Sequence, residues 1–243
     1  KWLEAAAYSL HSHPDLALEA RCDEAIDDLE KLQGDDGYLN SYFSQLEPEQ
    51  RWTNLRDRHE LYCAGHLMEA AVAYAEATRK TKLLDVMCRY ADYIDTVFGP
   101  EEGQKKGYPG HEEIELALVK LYKATGNLAY LRLSEYFLTQ RGTQPHYYDT
   151  EAEQRGDESK GYRFGKYDYL QAHAPVREQT TAEGHSVRAC YLYAGMADVA
   201  RETGDPALKD ACTALWKNIT RSRMYVNGGI GSSHIGERFT YDY

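Results

Sequence analysis

Residues 118–134, LVKLYKATGNLAYLRLS, contain the pattern that decides the fold. Apolar residues recur at helical spacing on both sides of Thr125-Gly126, and glycine at such a place commonly ends a helix. The segment therefore predicts a helical hairpin with a tight turn. Two other segments share this pattern of a threonine, then Arg or Gly, then a second helix: AVAYAEATRKTKLLDVM (71–87) and GMADVARETGDPALKDA (195–211).

Working outward from these turns, the sequence predicts four pairs of helices: 2–10 with 15–33, 59–78 with 83–98, 111–126 with 127–142, and 185–204 with 205–224. Polar and apolar residues do not alternate over any useful length, which argues against a sheet. The turn threonines Thr78, Thr125 and Thr203 are 47 and 78 residues apart. Such unequal periods argue against a regular solenoid. Variable loops on one side and short turns on the other predict an all-α toroid, with hairpins around a central axis.

Composition narrows the class of protein. The chain has 243 residues, enough for a sizeable core, and we expect a single domain over 1–243. A net charge of −11 argues against nucleic-acid binding, which needs a basic surface. No segment approaches the roughly 20 apolar residues of a membrane span. Because the first residues show no signal peptide and the last motif stops at Tyr243, we expect a piece of a longer protein.

The cysteines are five, scattered, and without a Cys-x-x-Cys pair: Cys22, Cys63, Cys88, Cys190 and Cys212. Four of the five lie in helical patterns among apolar neighbours, which predicts small core residues rather than ligands. This usage fits a reducing compartment, so we expect a cytoplasmic protein.

Two long irregular stretches, around 35–58 and 143–184, are rich in aromatic residues. Loops of this length are usually functional or disordered, and the aromatics favour function. The tyrosines of these stretches, together with Tyr108 in the loop 99–110, are candidates either to stack on sugar rings or to pack in the core: Tyr38, Tyr42, Tyr147, Tyr148, Tyr162, Tyr167 and Tyr169.

Three histidines, His59, His111 and His185, occupy equivalent positions, each after a long loop and at the start of the first helix of a hairpin. In a ring of hairpins these helix starts meet at one rim, so the three imidazoles are predicted to line one cavity mouth. The positive end of a helix disfavours the charged imidazolium, and a neutral imidazole can donate and accept a hydrogen bond with a sugar hydroxyl. Any one of them could instead be a helix-start residue satisfied by backbone. His66 is predicted to pack in the interior.

A lone acid, Glu237, follows the glycine-rich stretch NGGIGSSHIG and precedes the aromatic residues of RFTYDY. Between flexible glycines and rings it is a candidate for a partly buried general acid. The alternative is a surface glutamate on a solvated turn. No Gly-Lys-Ser/Thr ending is present, so a phosphate loop is not indicated. Glu178 and Glu183 lie near His185 in sequence, and either could supply a second carboxylate.

Four phrases strongly resemble glycoside hydrolase family 127, the β-L-arabinofuranosidases, and the resemblance runs from Trp2 to Tyr243. The phrases are WTNLRDRHELYCAGHL (52–67), KGYPGHEEIELALVKLY (106–122), QAHAPVREQTTAEGHSVRACYLY (171–193) and GGIGSSHIGERFTYDY (228–243). The resemblance implies an (α/α)6 barrel, of which four hairpins would form an incomplete part. It also implies a retaining exo-glycosidase that releases L-arabinofuranose from plant-type arabinooligosaccharides, a carbohydrate partner and no nucleic acid or membrane. An oligomer remains possible.

The same resemblance implies roles for individual residues. Glu237 matches the family's general acid/base, and His59, His111 and His185 match the histidines that hydrogen-bond the sugar. The family's nucleophile is a cysteine thiolate bound to zinc, whose other ligands are a glutamate and two cysteines. Those ligands follow the glycine-rich motif, so zinc is expected in the intact protein and no ligand of that site in this chain. We therefore expect the segment alone to be inactive.

Two other readings remain open at this stage. The first is an α/α-barrel glycosidase that uses two carboxylates, such as Glu237 with Glu178, and no metal. The second is a non-catalytic scaffold of helical hairpins that binds protein.

Overall fold

A computed structural model describes residues 1–157 and 167–242, so Tyr162 lies outside the described residues. The described chain contains ten α-helices: α1 (Trp2–Ser12), α2 (Leu16–Leu32), α3 (Ser41–Gln45), α4 (Glu60–Thr78), α5 (Lys82–Val97), α6 (Ile114–Thr125), α7 (Leu128–Gln140), α8 (Tyr147–Arg155), α9 (Ser186–Thr203) and α10 (Pro206–Asn218). A π-turn at Ile219–Arg223 continues α10.

The helices form two layers of a ring. In the inner layer α1 packs on α4, α4 on α6, and α6 on α9. In the outer layer α2, α5, α7 and α10 each pack behind their own inner helix. Most residues of α4 and α6 are buried, as a helix covered on both sides requires, whereas α10 buries only Leu208, Ala211 and Leu215. The predicted all-α toroid is confirmed, with four hairpins arranged side by side.

The three repeated threonines close their turns in the same way. Each hydroxyl donates to the carbonyl four residues earlier, at 2.7 Å for Thr78 and 2.8 Å for Thr125 and Thr203. Each also accepts from the backbone N–H two residues later, at 3.2–3.3 Å. The residue after each threonine is in the left-handed region, with φ of 65° at Arg79, 76° at Gly126 and 74° at Gly204. The repeated sequence pattern is therefore one repeated turn.

The long stretches are ordered by buried side chains that bond to backbone. Arg141 is fully buried and donates to Pro109 O at 2.7 Å and Leu170 O at 2.8 Å. Glu151 accepts from the backbone N–H groups of Leu55 and Arg56 at 2.8 and 2.9 Å. Because buried polar backbone needs partners, these bonds hold the loops against the helices.

Helix bounds differ from the predicted ones by a few residues, and one difference affects the site. The helix predicted from His111 begins at Ile114, so His111 lies in the loop before it. The described parts of the stretches predicted as irregular contain α3, α8 and three short 3₁₀ turns, Pro48–Gln50, Tyr167–Leu170 and Val176–Glu178. In the described residues, extended pairing is limited to two isolated bridges, Phe98–Lys105 and His185–Arg238.

The prediction that the helical cysteines pack in the core is confirmed for Cys22, which is buried, and in part for Cys88 and Cys212, which pack against the edge of the core. Cys63 and Cys190 are exposed, and Cys88 and Cys212 are half-buried, although every one of them lies in a helix. All five are free thiols. Among the described helices, none combines the length and the apolar character needed to cross a bilayer.

Candidate active site

The rings of the three predicted histidines form a continuous row across the starts of the inner helices. The ring centres of His59 and His111 are 5.6 Å apart, and those of His111 and His185 are 5.9 Å apart. At the far end, His185 Nε2 lies 3.1 Å from Glu237 Oε2. The structure therefore brings together all four groups that the sequence singled out.

Backbone contacts settle which nitrogen of each ring carries the proton. His59 Nδ1 lies 3.1 Å from Asp57 O, and His111 Nδ1 lies 2.9 Å from Glu112 O. A carbonyl can only accept, so in both rings Nδ1 donates and Nε2 presents a lone pair. These two histidines are acceptors for an incoming hydroxyl.

His185 has the opposite tautomer. It is the N-cap of α9, and its Nδ1 accepts from the backbone N–H of Arg188 at 3.3 Å. The proton of the neutral ring is therefore on Nε2, which donates to Glu237 Oε2. A helix cap thus orients the ring that holds the acid.

The backbone around Glu237 is tied to the start of α9. The Glu237 carbonyl accepts from Ser186 N at 3.0 Å and from Ser186 Oγ at 2.9 Å. Phe239 N donates to Gly184 O at 2.9 Å, and Arg238 pairs with Asp168 at 2.6 Å. A Cβ at Gly231, whose φ is 71°, would lie 2.1 Å from Ser186 Oγ, so glycine is required there.

The expected partial burial of Glu237 is not observed. Its side chain is 73% exposed in the described structure. Its backbone φ of 49° lies in the left-handed region. The row of rings is thus open at the Glu237 end rather than enclosed. His59, at the other end, lines a cavity of about 460 Å³ with residues that include Tyr42 and Cys63.

All three histidines are held in the neutral form. Burial and the nearby Arg188 cation lower the pKa of His59 and of His185. Burial lowers the pKa of His111 to about 3, against a hydrogen bond to Glu112 O that acts the other way. The direction agrees with the sequence-based expectation, but its main cause is loss of solvent rather than a helix end.

Arg188 is a site residue that the sequence did not reveal. Its guanidinium lies 4.9 Å from the ring centre of Tyr169, and the Tyr169 and His185 rings are 5.6 Å apart. Its Nε and Nη1 are buried and have no hydrogen-bond partner among the described residues. Its place three residues after His185, on the same helix face, was the available signal.

Tyr62 of α4 and Tyr191 of α9 also contact the row, although the sequence does not single them out. The Tyr62 ring is 4.3 Å from that of His111 and 6.3 Å from that of Tyr191. The Lys1 ammonium lies 5.5 Å from the Tyr62 ring centre. Tyr62 follows His59 by three residues and precedes His66 by four, so helical spacing does place it on the histidine face.

The loop tyrosines divide into three groups. Tyr38, Tyr108 and Tyr148 are fully buried core residues. Tyr42 is exposed beside Glu47, Tyr147 is half-buried against Tyr108, and Tyr167 stacks on His146. Of the described candidates, Tyr169 is the one whose ring contacts a histidine of the row.

Neither candidate for a second carboxylate contacts His185 or Glu237 among the described residues. Glu178 is exposed on the 3₁₀ turn Val176–Glu178, and Glu183 lies 3.5 Å from Arg223. His66 is buried, as predicted.

The zinc site expected from the resemblance is not formed by the described residues. Within 1–157 and 167–242, the group of side chains able to hold a metal is Glu4, His66 and Glu69, and it contains no cysteine. A set of three cysteine ligands and one glutamate ligand does not fit these residues.

Comparison with known proteins decides the family. The model of the β-L-arabinofuranosidase GH127 catalytic domain matches residues 1–243. The chain belongs to glycoside hydrolase family 127. It is 46% identical over 250 residues to a non-reducing end β-L-arabinofuranosidase of Bifidobacterium longum subsp. longum, covering 100% of this chain and 38% of that protein.

Solved structures give the same family. A GH127 β-L-arabinofuranosidase from Geobacillus stearothermophilus T6 superposes with a TM-score of 0.97 at 58% identity, over 99% of this chain and 38% of that one. A second GH127 β-arabinofuranosidase gives a TM-score of 0.85 at 38% identity, over 99% and 36% of the two chains. The chain therefore spans somewhat more than a third of the length of these relatives.

Proposed function

We propose that this chain carries the sugar-binding histidines and the acid/base glutamate of a retaining exo-β-L-arabinofuranosidase. The observation that carries the proposal is the 3.1 Å contact from His185 Nε2 to Glu237 Oε2, at the end of a row of neutral imidazoles. The substrate class is L-arabinofuranosides of plant-type arabinooligosaccharides. Family membership and the relatives' names support β-L-arabinofuranosides as substrates, and the plant-type glycan is the finer part of the proposal.

Glu237 acts first as acid and then as base. His185 holds Oε2 by donating Nε2–H, which leaves Oε1 for proton exchange. In the first half-reaction Oε1–H protonates the departing glycosidic oxygen. In the second half-reaction the carboxylate removes a proton from the water that releases the sugar. Since the backbone of Glu237 is fixed on Ser186, the carboxyl group stays at one end of the row.

The histidines and Arg188 bind the sugar. The Nε2 lone pairs of His59 and His111 accept from sugar hydroxyls, and the unpaired N–H groups of Arg188 donate to sugar oxygens. Keeping both rings neutral matters, because an imidazolium has no acceptor. No residue of the row is proposed as the nucleophile, which the family resemblance gives as a zinc-held cysteine.

Glu237→Gln in the full-length protein tests the acid role. Turnover on substrates with a poor leaving group should fall by about 10²–10⁴-fold, whereas aryl arabinosides, which need little protonation to leave, should lose much less. The measurement is kcat on both substrate types. Equal losses on the two would remove Glu237 from the acid role.

Glu178→Gln is the matched control for this experiment. Glu178 is exposed and does not contact the described residues of the row, so the Glu178→Gln variant should have the kcat of the wild type. A loss comparable to that of Glu237→Gln would favour the two-carboxylate glycosidase, as would full activity after zinc is chelated. Binding of L-arabinose, lost in His111→Ala, would exclude the protein-binding scaffold.

A further inference from the structure

Beneath the row of histidines lies a second cluster of polar groups inside the ring. Glu4 of α1 and His66 and Glu69 of α4 bring one ligand atom each within 4.8 Å of one another. His66 and Glu69 are buried, and Glu4 is half-buried. Two ligand atoms each about 2.1 Å from one ion lie at most about 4.2 Å apart, so small side-chain rotations would complete the set.

His66 is the strongest sign that this cluster takes a ligand. Its side chain is only 9% exposed, and neither ring nitrogen has a hydrogen-bond partner among the described residues. Nδ1 points into the cluster, 3.2 Å from Glu113 Oε1 and 3.8 Å from Glu69 Oε2, without hydrogen-bond geometry to either. A buried polar group without a partner costs about 1–3 kcal/mol, so a bound ligand at this nitrogen would remove a real penalty.

Gly65, which has no side chain, leaves space for a further carboxyl group beside His66. Glu113 is fully buried beside His66, and a Cβ at Gly65 would lie 1.7 Å from Glu113 Oε2. Any residue with a side chain at position 65 would therefore displace this carboxyl from the cluster.

The charges leave room for a cation. Glu4, Glu69 and Glu113 supply three carboxyl groups, and the ammonium of Lys120 contacts Glu69 Oε1. The other oxygen of Glu69, Oε2, is the one that faces His66. The Lys1 ammonium is a second cation near the cluster, 5.5 Å from the centre of the Tyr62 ring that contacts His66. Two ammonium groups do not balance three ionised carboxyl groups, so the cluster can accept a bound cation.

We propose that Glu4, His66 and Glu69, with Glu113 beside them, bind a divalent transition-metal cation inside the helical ring. One imidazole and two or three carboxylates form a mixed nitrogen and oxygen set that such ions accept. The side chain of Tyr62 separates this site from the row of histidines. The centre of the Tyr62 ring is 4.4 Å from that of His66 and 4.3 Å from that of His111.

Mn²⁺ is the probe, because it favours oxygen ligands whereas thiolates select softer ions. The full-length protein is titrated with Mn²⁺, and free ion is counted by electron paramagnetic resonance. We expect one bound Mn²⁺ per chain, weakened at least tenfold by His66→Gln and by Glu69→Gln. Glu76→Gln, an exposed glutamate on the same helix, should leave the affinity unchanged.

Two further measurements guard against a variant that fails to fold. In the unmodified protein, bound Mn²⁺ should show electron-spin-echo modulation from one imidazole nitrogen. Lys120→Met should tighten binding at least threefold, because the ammonium no longer competes for Glu69. Absence of Mn²⁺ binding, bound Mn²⁺ without nitrogen modulation, or equal affinity in wild type and His66→Gln would overturn the proposal.

Discussion

The two ends of the helical ring are ordered in different ways. At the short-turn end, which contains Thr78, Thr125 and Thr203, each hairpin closes through bonds within about six residues of chain. At the long-loop end, which contains the row of histidines, order depends on contacts such as Arg141 to Leu170 and Glu151 to Leu55, across 29 and 96 residues. The repeated turns therefore stabilise the scaffold through local bonds, whereas the site depends on buried polar groups that are far apart in the sequence.

Arg141→Met should break the long-loop end and give the largest loss of stability. The substitution removes the cation that pairs with Glu112 at 2.9 Å and Glu115 at 3.3 Å, with all three side chains fully buried. Removing one partner of a buried ion pair costs about 3–5 kcal/mol. Urea unfolding measures the loss. Arg132→Met, an exposed arginine on α7, should change the free energy by less than about 0.5 kcal/mol.

Acid should weaken the long-loop end through His111. Its pKa is lowered to about 3 in the fold, against a usual value of about 6.5, so between these pH values the unfolded chain binds a proton that the folded chain excludes. The stability is therefore complete above about pH 6.5 and falls as the pH falls towards 3.

Between pH 7 and pH 5 the wild type should lose about 1–2 kcal/mol more than His111→Asn, which has no imidazole to charge. Unfolding free energies of the two proteins at both pH values provide the comparison. Equal pH dependence in the two would show that His111 is not kept neutral by the fold.

Thr125→Val should cost about 1 kcal/mol at the short-turn end, because it removes the hydroxyl that donates to Leu121 O and accepts from Asn127 N. Thr78→Val and Thr203→Val should cost the same within a few tenths of a kcal/mol, since the turns are equivalent. Thr213→Val is the control, because Thr213 makes only the carbonyl bond, to Lys209. A large cost at one turn alone would contradict the equivalence.

Arg79→Gly should give the smallest effect, a gain of about 0.5 kcal/mol. Arg79 has a φ of 65°, where the other two turns have glycine, and glycine adopts this conformation without strain. Gly204→Ala should show the opposite sign, with a loss of about 1 kcal/mol. Thermal unfolding measures both, and a loss in Arg79→Gly would show that its side chain stabilises the turn.

Much of the scaffold was predictable, because its causes are local. Helical spacing, the threonine pattern and the left-handed residue after it all act within a few positions along the chain. The convergence of His59, His111 and His185 followed from the ring itself. The start of α6 was predicted three residues early. Glu112 and Glu113 stay in the loop before the helix, because Glu112 pairs with the buried Arg141 and Glu113 occupies the space beside Gly65.

The amino-acid sequence by itself determined the helical hairpins, their closure at three threonines, and which histidines and which glutamate could meet. The tertiary structure alone decided the tautomers of those histidines, the exposed position of Glu237 and the participation of Tyr62 and Arg188. The physical reason is the separation along the sequence between the residues that interact. A turn is stabilised by its neighbours in the chain, whereas protonation, burial and contact between inner helices depend on residues that only packing brings together.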